Sequence, residues 1–133
     1  MKFLPALLPI ALIGCSAATA TDTDTSVPKE ETHSMFRKIN DNISVSPQIS
    51  LEDIAAAKAE GVTLIINNRP DGEDPLAPQS ADIEAAAKAA GIEYLTIPIT
   101  HSGFSAPQVD AMIAALGDSK GKILAYCRSG TRS

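Results

Sequence analysis

The chain has 133 residues, 44% of them hydrophobic and 20% charged, with a formal net charge of −5. That length holds one domain rather than two, and the acidic balance leaves no cationic surplus for nonspecific nucleic-acid binding. Trp is absent and aromatics make up 4%, so the core is expected to be aliphatic, and no apolar run reaches the roughly 18–20 residues that span a bilayer.

The N-terminus reads as an address. Lys2 is followed by an apolar run from Phe3 to Ile13, the layout of a secretory signal and too short for a membrane span. It closes as Leu12-Ile13-Gly14-Cys15, which resembles the bacterial lipobox. That resemblance implies removal of residues 1–14 as a lipoprotein signal peptide and attachment of a lipid to the Cys15 sulfur. The expected location is the cell envelope, lipid-anchored and periplasm-facing, and Ser16 would suit outer-membrane sorting in a Gram-negative source. The alternative is a secreted chain cut near Ala18-Thr19-Ala20. With Cys15 lipidated, Cys127 would be the one free thiol in an oxidising compartment. Residues 15–34 are polar, including Thr21-Asp22-Thr23-Asp24-Thr25. They bury too little to order themselves and read as a tether; His33 within it receives no role.

The domain is expected over residues 35–133, opening with a short strand or hairpin around Ile39 to Val45. Two Ala-rich helical segments follow, Asp53 to Glu60 and Asp82 to Ala90. Gly61 and Gly91 stop them, as glycine accepts the left-handed cap conformation. Each runs into an apolar strand, Val62 to Asn67 and Tyr94 to Ile99. In a third unit, Val109, Met112, Ile113 and Leu116 mark one helical face. Gly117 is expected to end it before a strand over Lys122 to Cys127. Capping boxes are expected at Ser50/Asp53 and Ser105/Gln108, with Ser80 preceding the middle helix. The fold class is therefore α/β, a mainly parallel sheet flanked by helices. Function in such sheets gathers beyond the carboxyl ends of the strands. Here those positions carry Asn67 to Asp74, Thr100-His101-Ser102-Gly103, and Cys127 with its loop.

Cys127-Arg128-Ser129-Gly130-Thr131-Arg132-Ser133 is the most informative stretch. A nucleophilic thiolate needs a lowered pKa. Backbone N–H groups folded into a cradle supply that, and the same cradle binds an oxyanion. Gly130 permits the tight path, and Arg132 can clamp an anion with its planar fork. Arg128 adds positive potential or faces solvent. Ser129, Thr131 and Ser133 offer hydroxyls to a leaving thiolate, or are ordinary small loop residues. Two separated histidines and one free cysteine make no metal-ligand set, so neither metal nor cofactor is expected.

The loop resembles two families. Cys-Arg-Ser-Gly-Thr-Arg-Ser is similar to the active loop of rhodaneses, in which Cys accepts a sulfane sulfur. In the protein-tyrosine-phosphatase superfamily the loop reads His-Cys-x-x-Gly-x-x-Arg-Ser. Gly130 holds the shared place, while Arg132 comes one residue early and Tyr126 replaces the His. A shorter loop makes a smaller cradle, which suits a sulfur atom better than a tetrahedral phosphate. Over residues 35–133, with Phe36 to Gln48, Val62 to Glu73 and the Cys127 loop as the matching stretches, the chain resembles the phosphatase-like domain of beta-lactamase-hydrolase-like proteins. That family is placed in the tyrosine-phosphatase superfamily.

The resemblance implies a phosphatase-like hydrolase with Cys127 as nucleophile and Arg132 as transition-state clamp. Such enzymes need a general acid, usually an Asp. His101, Asp71 and Asp74 are the candidates, each with an ordinary loop role as its alternative; Asp71-Gly72 is also a turn signal. In both families a helix follows the active loop, so the domain is expected to be C-terminally incomplete at Ser133. Two further readings stay open. One is a rhodanese-type sulfurtransferase carrying a Cys127 persulfide, and the other an inert, envelope-anchored binding module. The expected partner is a phosphorylated or sulfur-donor small molecule or protein, and not a nucleic acid.

Overall fold

Strand order follows from where the aliphatic runs lie. In a computed structural model, which describes residues 35–133, Val62–Asn67 and Lys122–Tyr126 form adjacent central strands. Numbered along the chain, the elements are β1 (Arg37–Lys38), β2 (Ile43–Ser46), α1 (Asp53–Ala59), β3 (Val62–Asn67), α2 (Ser80–Ala89), β4 (Glu93–Thr96), α3 (Ala106–Asp118) and β5 (Lys122–Tyr126). The sheet order is β1-β2-β5-β3-β4. Only β1 runs antiparallel, paired with β2 in the hairpin expected near Ile39 to Val45. The predicted lipidation site Cys15, signal peptide 1–14 and tether 15–34 lie outside the described residues. No helix among the described residues is long and apolar enough to cross a membrane.

The two faces of the sheet sort side chains by the period of two. On one face Ile65, Leu124 and Tyr126 pack with Ile54 and Ala57 of α1 and with Ile83 and Ala87 of α2. On the other face Leu64, Ile66, Ile123 and Ala125 pack with Ala115 of α3. β3 is consequently apolar on both faces, the pattern of a central parallel strand.

The helix ends follow the expected chemistry, with adjustments. The Asp53 N–H donates to Ser50 Oγ at 3.3 Å, and the Ser50 N–H donates to Asp53 Oδ2 at 2.7 Å. The two bonds are reciprocal, but they close the turn ahead of α1, whose N-cap is Glu52 without a side-chain cap, so the box expected at Ser50/Asp53 does not cap the helix itself. The Ser105 N–H donates to Gln108 Oε1 at 2.7 Å. For the middle helix the cap is Gln79, whose N–H donates to Asp82 Oδ2 at 3.1 Å, and Ser80 is the first helical residue. Gly61 and Gly91 stop the first two helices with φ of 85° and 72°. Gly117, by contrast, lies inside α3, which continues to Asp118.

Two further expectations are corrected. β4 ends at Thr96 rather than Ile99, although the chain keeps pairing: the Ile97 N–H donates to the Asn67 carbonyl and the Ile99 N–H to the Asn68 carbonyl. The face of α3 is also rotated. Val109, Ile113 and Leu116 are exposed, while Met112 and Ala115 turn inward. The side of α3 turned away from solvent carries Gln108, Met112, Ala115 and Ser119.

Candidate active site

The carboxyl ends of the parallel strands bring three loops together. After β5 the chain turns through Cys127 to Ser133, after β3 through Asn68 to Asp74, and after β4 through Ile99 to His101. The anchor is buried. The Asn68 N–H donates to the Tyr126 carbonyl at 2.8 Å, and the Cys127 N–H to the Ser46 carbonyl at 3.3 Å. These bonds extend the ladders by one residue and fix where the thiol begins.

Cys127 is fully buried. The loop curls back so that the Gly130 N–H donates to Cys127 Sγ at 3.0 Å and the Arg132 N–H at 3.4 Å. Gly130 has φ of 80° and is itself buried, backed by the Ser46 backbone. The conformation that aims its N–H at the sulfur is one that other residues seldom adopt. Burial pushes the thiol pKa up. The Arg132 N–H, the Ser133 hydroxyl and the Ser129 and Gly130 N–H groups outweigh it, and the pKa falls below the ordinary thiol value. Ser133 Oγ is buried with no hydrogen-bond partner within bonding geometry.

The other loop residues separate by position. Arg128 is exposed, and its carbonyl accepts the Gln48 N–H at 3.3 Å. Ser129 Oγ and Thr131 Oγ1 share a hydrogen bond of 3.0 Å at the exposed rim. Arg132 turns inward instead. Its Nη1 donates to Glu73 Oε1 at 2.7 Å and to the Ile99 carbonyl at 2.6 Å, and its Nη2 donates to Glu73 Oε2 at 2.9 Å. The single guanidinium thus ties all three loops together.

Glu73 receives a second cation. Arg69, 6% exposed, donates from Nε to Glu73 Oε2 at 3.1 Å and from Nη1 to Gln48 Oε1 at 2.6 Å. The hydrogen bonds from Arg132, with the added support of Arg69, hold the Glu73 carboxyl down at about 2 despite partial burial. Glu73, Arg69 and Gln48 were not singled out from sequence. Their signal is the spacing of Arg69 and Glu73 at i and i+4 across a Pro-Asp-Gly turn, which places opposite charges side by side.

The three general-acid candidates sit differently. Asp71 Oδ1 accepts the Ser80 N–H at 2.8 Å and the Ser80 hydroxyl at 2.7 Å. It therefore serves as an N-terminal cap of α2. His101 is 80% exposed on its side chain, with Nε2 at 4.0 Å from Glu73 Oε1. It stands at the mouth of the site beside the Arg132 pair. Asp74 lies 4.0 Å from Arg69 Nη2 and accepts the Leu76 N–H. A surface hollow of about 520 Å³ lies elsewhere, between β4 and α3 around Leu64, Ile92 and Ala115. It contains none of these groups.

Comparison with known proteins agrees with this geometry. A protein of Agrobacterium fabrum named "Beta-lactamase hydrolase-like protein" is 32% identical over 96 residues, which is 72% of this chain and 22% of that protein. The chain thus spans about a fifth of the length of the curated relatives it matches. A crystal structure of a candidate phosphatase from Neisseria meningitidis superposes with a TM-score of 0.68 at 30% identity. It covers 74% of this chain and 70% of the other. The active form of Tk-PTP, at 16% identity, shares the fold with a TM-score of 0.59 over 72% of this chain and 63% of its own. Residues 35–133 match the family described as "Beta-lactamase hydrolase-like protein, phosphatase-like domain". The α/β sheet, its Cys127 loop and these relatives agree, and the chain belongs to that phosphatase-like family.

Proposed function

We propose that the domain is a cysteine-dependent phosphohydrolase working through a phosphocysteine on Cys127. The observation that carries this reading is the buried Cys127 sulfur facing two loop N–H groups, with the Arg132 fork on the same loop. A lowered thiol pKa raises the fraction of thiolate at a given pH. The thiolate attacks phosphorus, forming an S–P bond as the ester P–O bond breaks. Loop N–H groups and Arg132 stabilise the charge on the equatorial oxygens. The leaving alkoxide takes a proton from His101, which stands at the mouth and is not engaged in a helix cap as Asp71 is. Water then attacks phosphorus, releasing phosphate and returning the electron pair to sulfur, with the Ser133 hydroxyl donating to the departing thiolate.

The substrate class is a phosphorylated small molecule or protein. An anchor on Cys15 would present the site at the cell envelope, which loss of lipid labelling in a Cys15→Ala chain tests. A second reading, sulfur transfer through a Cys127 persulfide, is favoured by one feature. Arg132 follows Cys127 after four residues, a tighter loop than the phosphatase pattern.

One experiment separates them. The protein is incubated with an aryl phosphate or with thiosulfate, quenched in acid, and its Cys127 peptide weighed. A phosphoryl adduct is expected. An added sulfur atom on Cys127 establishes sulfur transfer instead, and an unmodified thiol under both conditions leaves the binding-module reading.

A further inference from the structure

The end of the domain that carries Cys127 is edged with exposed apolar side chains. Leu76, in the loop after β3, is 94% exposed, and Phe104, in the loop after β4, is 68% exposed. Leu51, in the loop after β2, and Met35, just ahead of β1, are each about half exposed. Because β1 runs antiparallel, with Arg37 opposite Val45, Met35 lies at this end too. The sheet order β1-β2-β5-β3-β4 sets Met35 and Leu51 on one side of the thiol loop and Leu76 and Phe104 on the other. Strands about 4.8 Å apart put the roots of all these loops within roughly 20 Å. In the turns at the opposite end, Ile39 is the one exposed large hydrophobic among the described residues, and the charged Glu60, Glu93, Lys120 and Lys122 stand there. One exposed apolar residue is ordinary on any protein. Four on the loops around one nucleophile make an apolar rim.

The covalent chain arrives at the same end. Met35 follows Cys15 by twenty positions, and an extended chain of that length spans at most about 70 Å. A lipid on Cys15 would therefore attach the domain to the bilayer by its thiol end. Charge does not supply the attraction. Asp71, Glu73 and Asp74 offset Arg69, Arg128 and Arg132 at this end, and the chain carries −5 overall. Apolar tips on separate loops suit a lipid interface, which accepts each one without a matched shape.

We propose that this end is a membrane-docking face: Leu76 and Phe104 enter the headgroup–acyl boundary, and the Cys127 loop between the two sides of the rim receives a phosphate monoester borne on a lipid. The docking stands on the rim and the point of chain entry, while the choice of substrate rests on the phosphohydrolase reading above. Cys127 is fully buried at the base of its loop, so a rim seated at the headgroup plane brings the phosphate within reach. Phe104 follows His101 by three residues, and its insertion sets the proton donor at the same plane. The phosphoryl group passes to Cys127 and then to water. Inorganic phosphate is released, and the lipid oxygen, protonated by His101, remains as a hydroxyl.

The chain has no Trp, so a single introduced Trp reports without background. Phe104→Trp, Leu76→Trp and Ile39→Trp are each made in the full chain, processed by the expressing cell, and mixed with phosphatidylcholine vesicles with and without brominated acyl chains. We expect emission from positions 76 and 104 to shift to shorter wavelength and to lose most of its intensity to bromine, and emission from position 39 to keep both. Absent quenching at 76 and 104, or equal quenching at all three positions, overturns the proposal.

A second arm tests the substrate. The Leu76→Ser/Phe104→Ser pair should slow turnover of phosphatidic acid in such vesicles about 10-fold, the worth of burying one large apolar side chain, and leave an aryl phosphate unchanged. Both side chains are exposed, so the melting temperature should hold. An equal fall for both substrates, or a native chain that hydrolyses the aryl phosphate and not phosphatidic acid, overturns the lipid-phosphate assignment. Quenching confined to positions 76 and 104 in a chain that hydrolyses neither ester contradicts the phosphohydrolase reading and leaves the docking face standing.

Discussion

The Gly130 N–H donates to the Cys127 sulfur at 3.0 Å, and Gly130 reaches that position with φ of 80° and with the Ser46 backbone directly behind it. A methyl group there would meet the Ser46 carbonyl carbon at 3.2 Å and Pro47 N at 3.4 Å. It would also pay a left-handed backbone penalty of about 1–2 kcal/mol. Gly130→Ala should therefore move the N–H away from the sulfur and raise the thiol pKa toward its ordinary value. Alkylation by a neutral reagent at pH 7 should slow by about 3–10-fold, as the thiolate fraction falls. An unchanged pH–rate profile for alkylation would show that this N–H does not hold the thiolate.

Glu73 gives a stability signature with a definite direction. Its carboxyl is held at about 2 in the folded chain against an ordinary value of 4.5. A depressed folded pKa contributes stability that is fully present above pH 4.5 and lost as the pH falls toward 2. The ceiling on that contribution is about 3 kcal/mol. Thermal unfolding of the native chain and of Glu73→Gln between pH 2 and pH 7 should show a gap that is widest above pH 5 and narrows on acidification. A gap constant across that range would mean that the Arg132 and Arg69 pairing contributes nothing net.

Tyr126 stands in the position preceding the nucleophile, and its hydroxyl meets that of Tyr94 at 3.1 Å below the sheet surface. Burial, and then the Tyr94 bond, raises its pKa, so the phenol stays neutral throughout the working range. Tyr126→Phe should cost about 1 kcal/mol, the net worth of one hydrogen bond. The pH profile of the thiol should not move. A shifted thiol pKa in that variant would assign Tyr126 an electrostatic part in the site.

The layout of the domain was legible because it rests on local patterns. The Ala-rich helices stopped by Gly61 and Gly91, the aliphatic runs of β3 and β5, and the Ser105/Gln108 box each depend on a few neighbouring residues. The thiol loop was legible for the same reason, since Cys127, Gly130 and Arg132 lie within six residues of one another. What escaped depends on distance in sequence. The Glu73–Arg132 pair joins positions 59 apart, and Gln48–Arg69 joins positions 21 apart. No periodicity announces such pairs; only the sheet order β2-β5-β3-β4 brings these strand ends together. The rotation of α3 escaped for a related reason. Val109, Ile113 and Leu116 carry the stronger apolar pattern, but which face of a helix meets the core is set by the elements packed against it, and a period within one helix does not record that.

His101 and Asp71 make opposite predictions, and one series of substrates separates them. Asp71 accepts both the N–H and the hydroxyl of Ser80, so Asp71→Asn should remove a charged cap and destabilise the domain by about 1 kcal/mol. Its effect on turnover should not depend on the leaving group. His101 is exposed and makes only a 4.0 Å approach to Glu73, so His101→Ala should leave the melting temperature nearly unchanged. If its imidazolium protonates the leaving oxygen, the loss should grow with leaving-group pKa. It should be small for a nitrophenyl phosphate, which departs unaided, and about 10²-fold for an alkyl phosphate, the usual size of general-acid catalysis. A leaving-group dependence that appears in Asp71→Asn and is absent from His101→Ala would reverse the assignment, and would require Asp71 to leave its cap on Ser80 during the reaction.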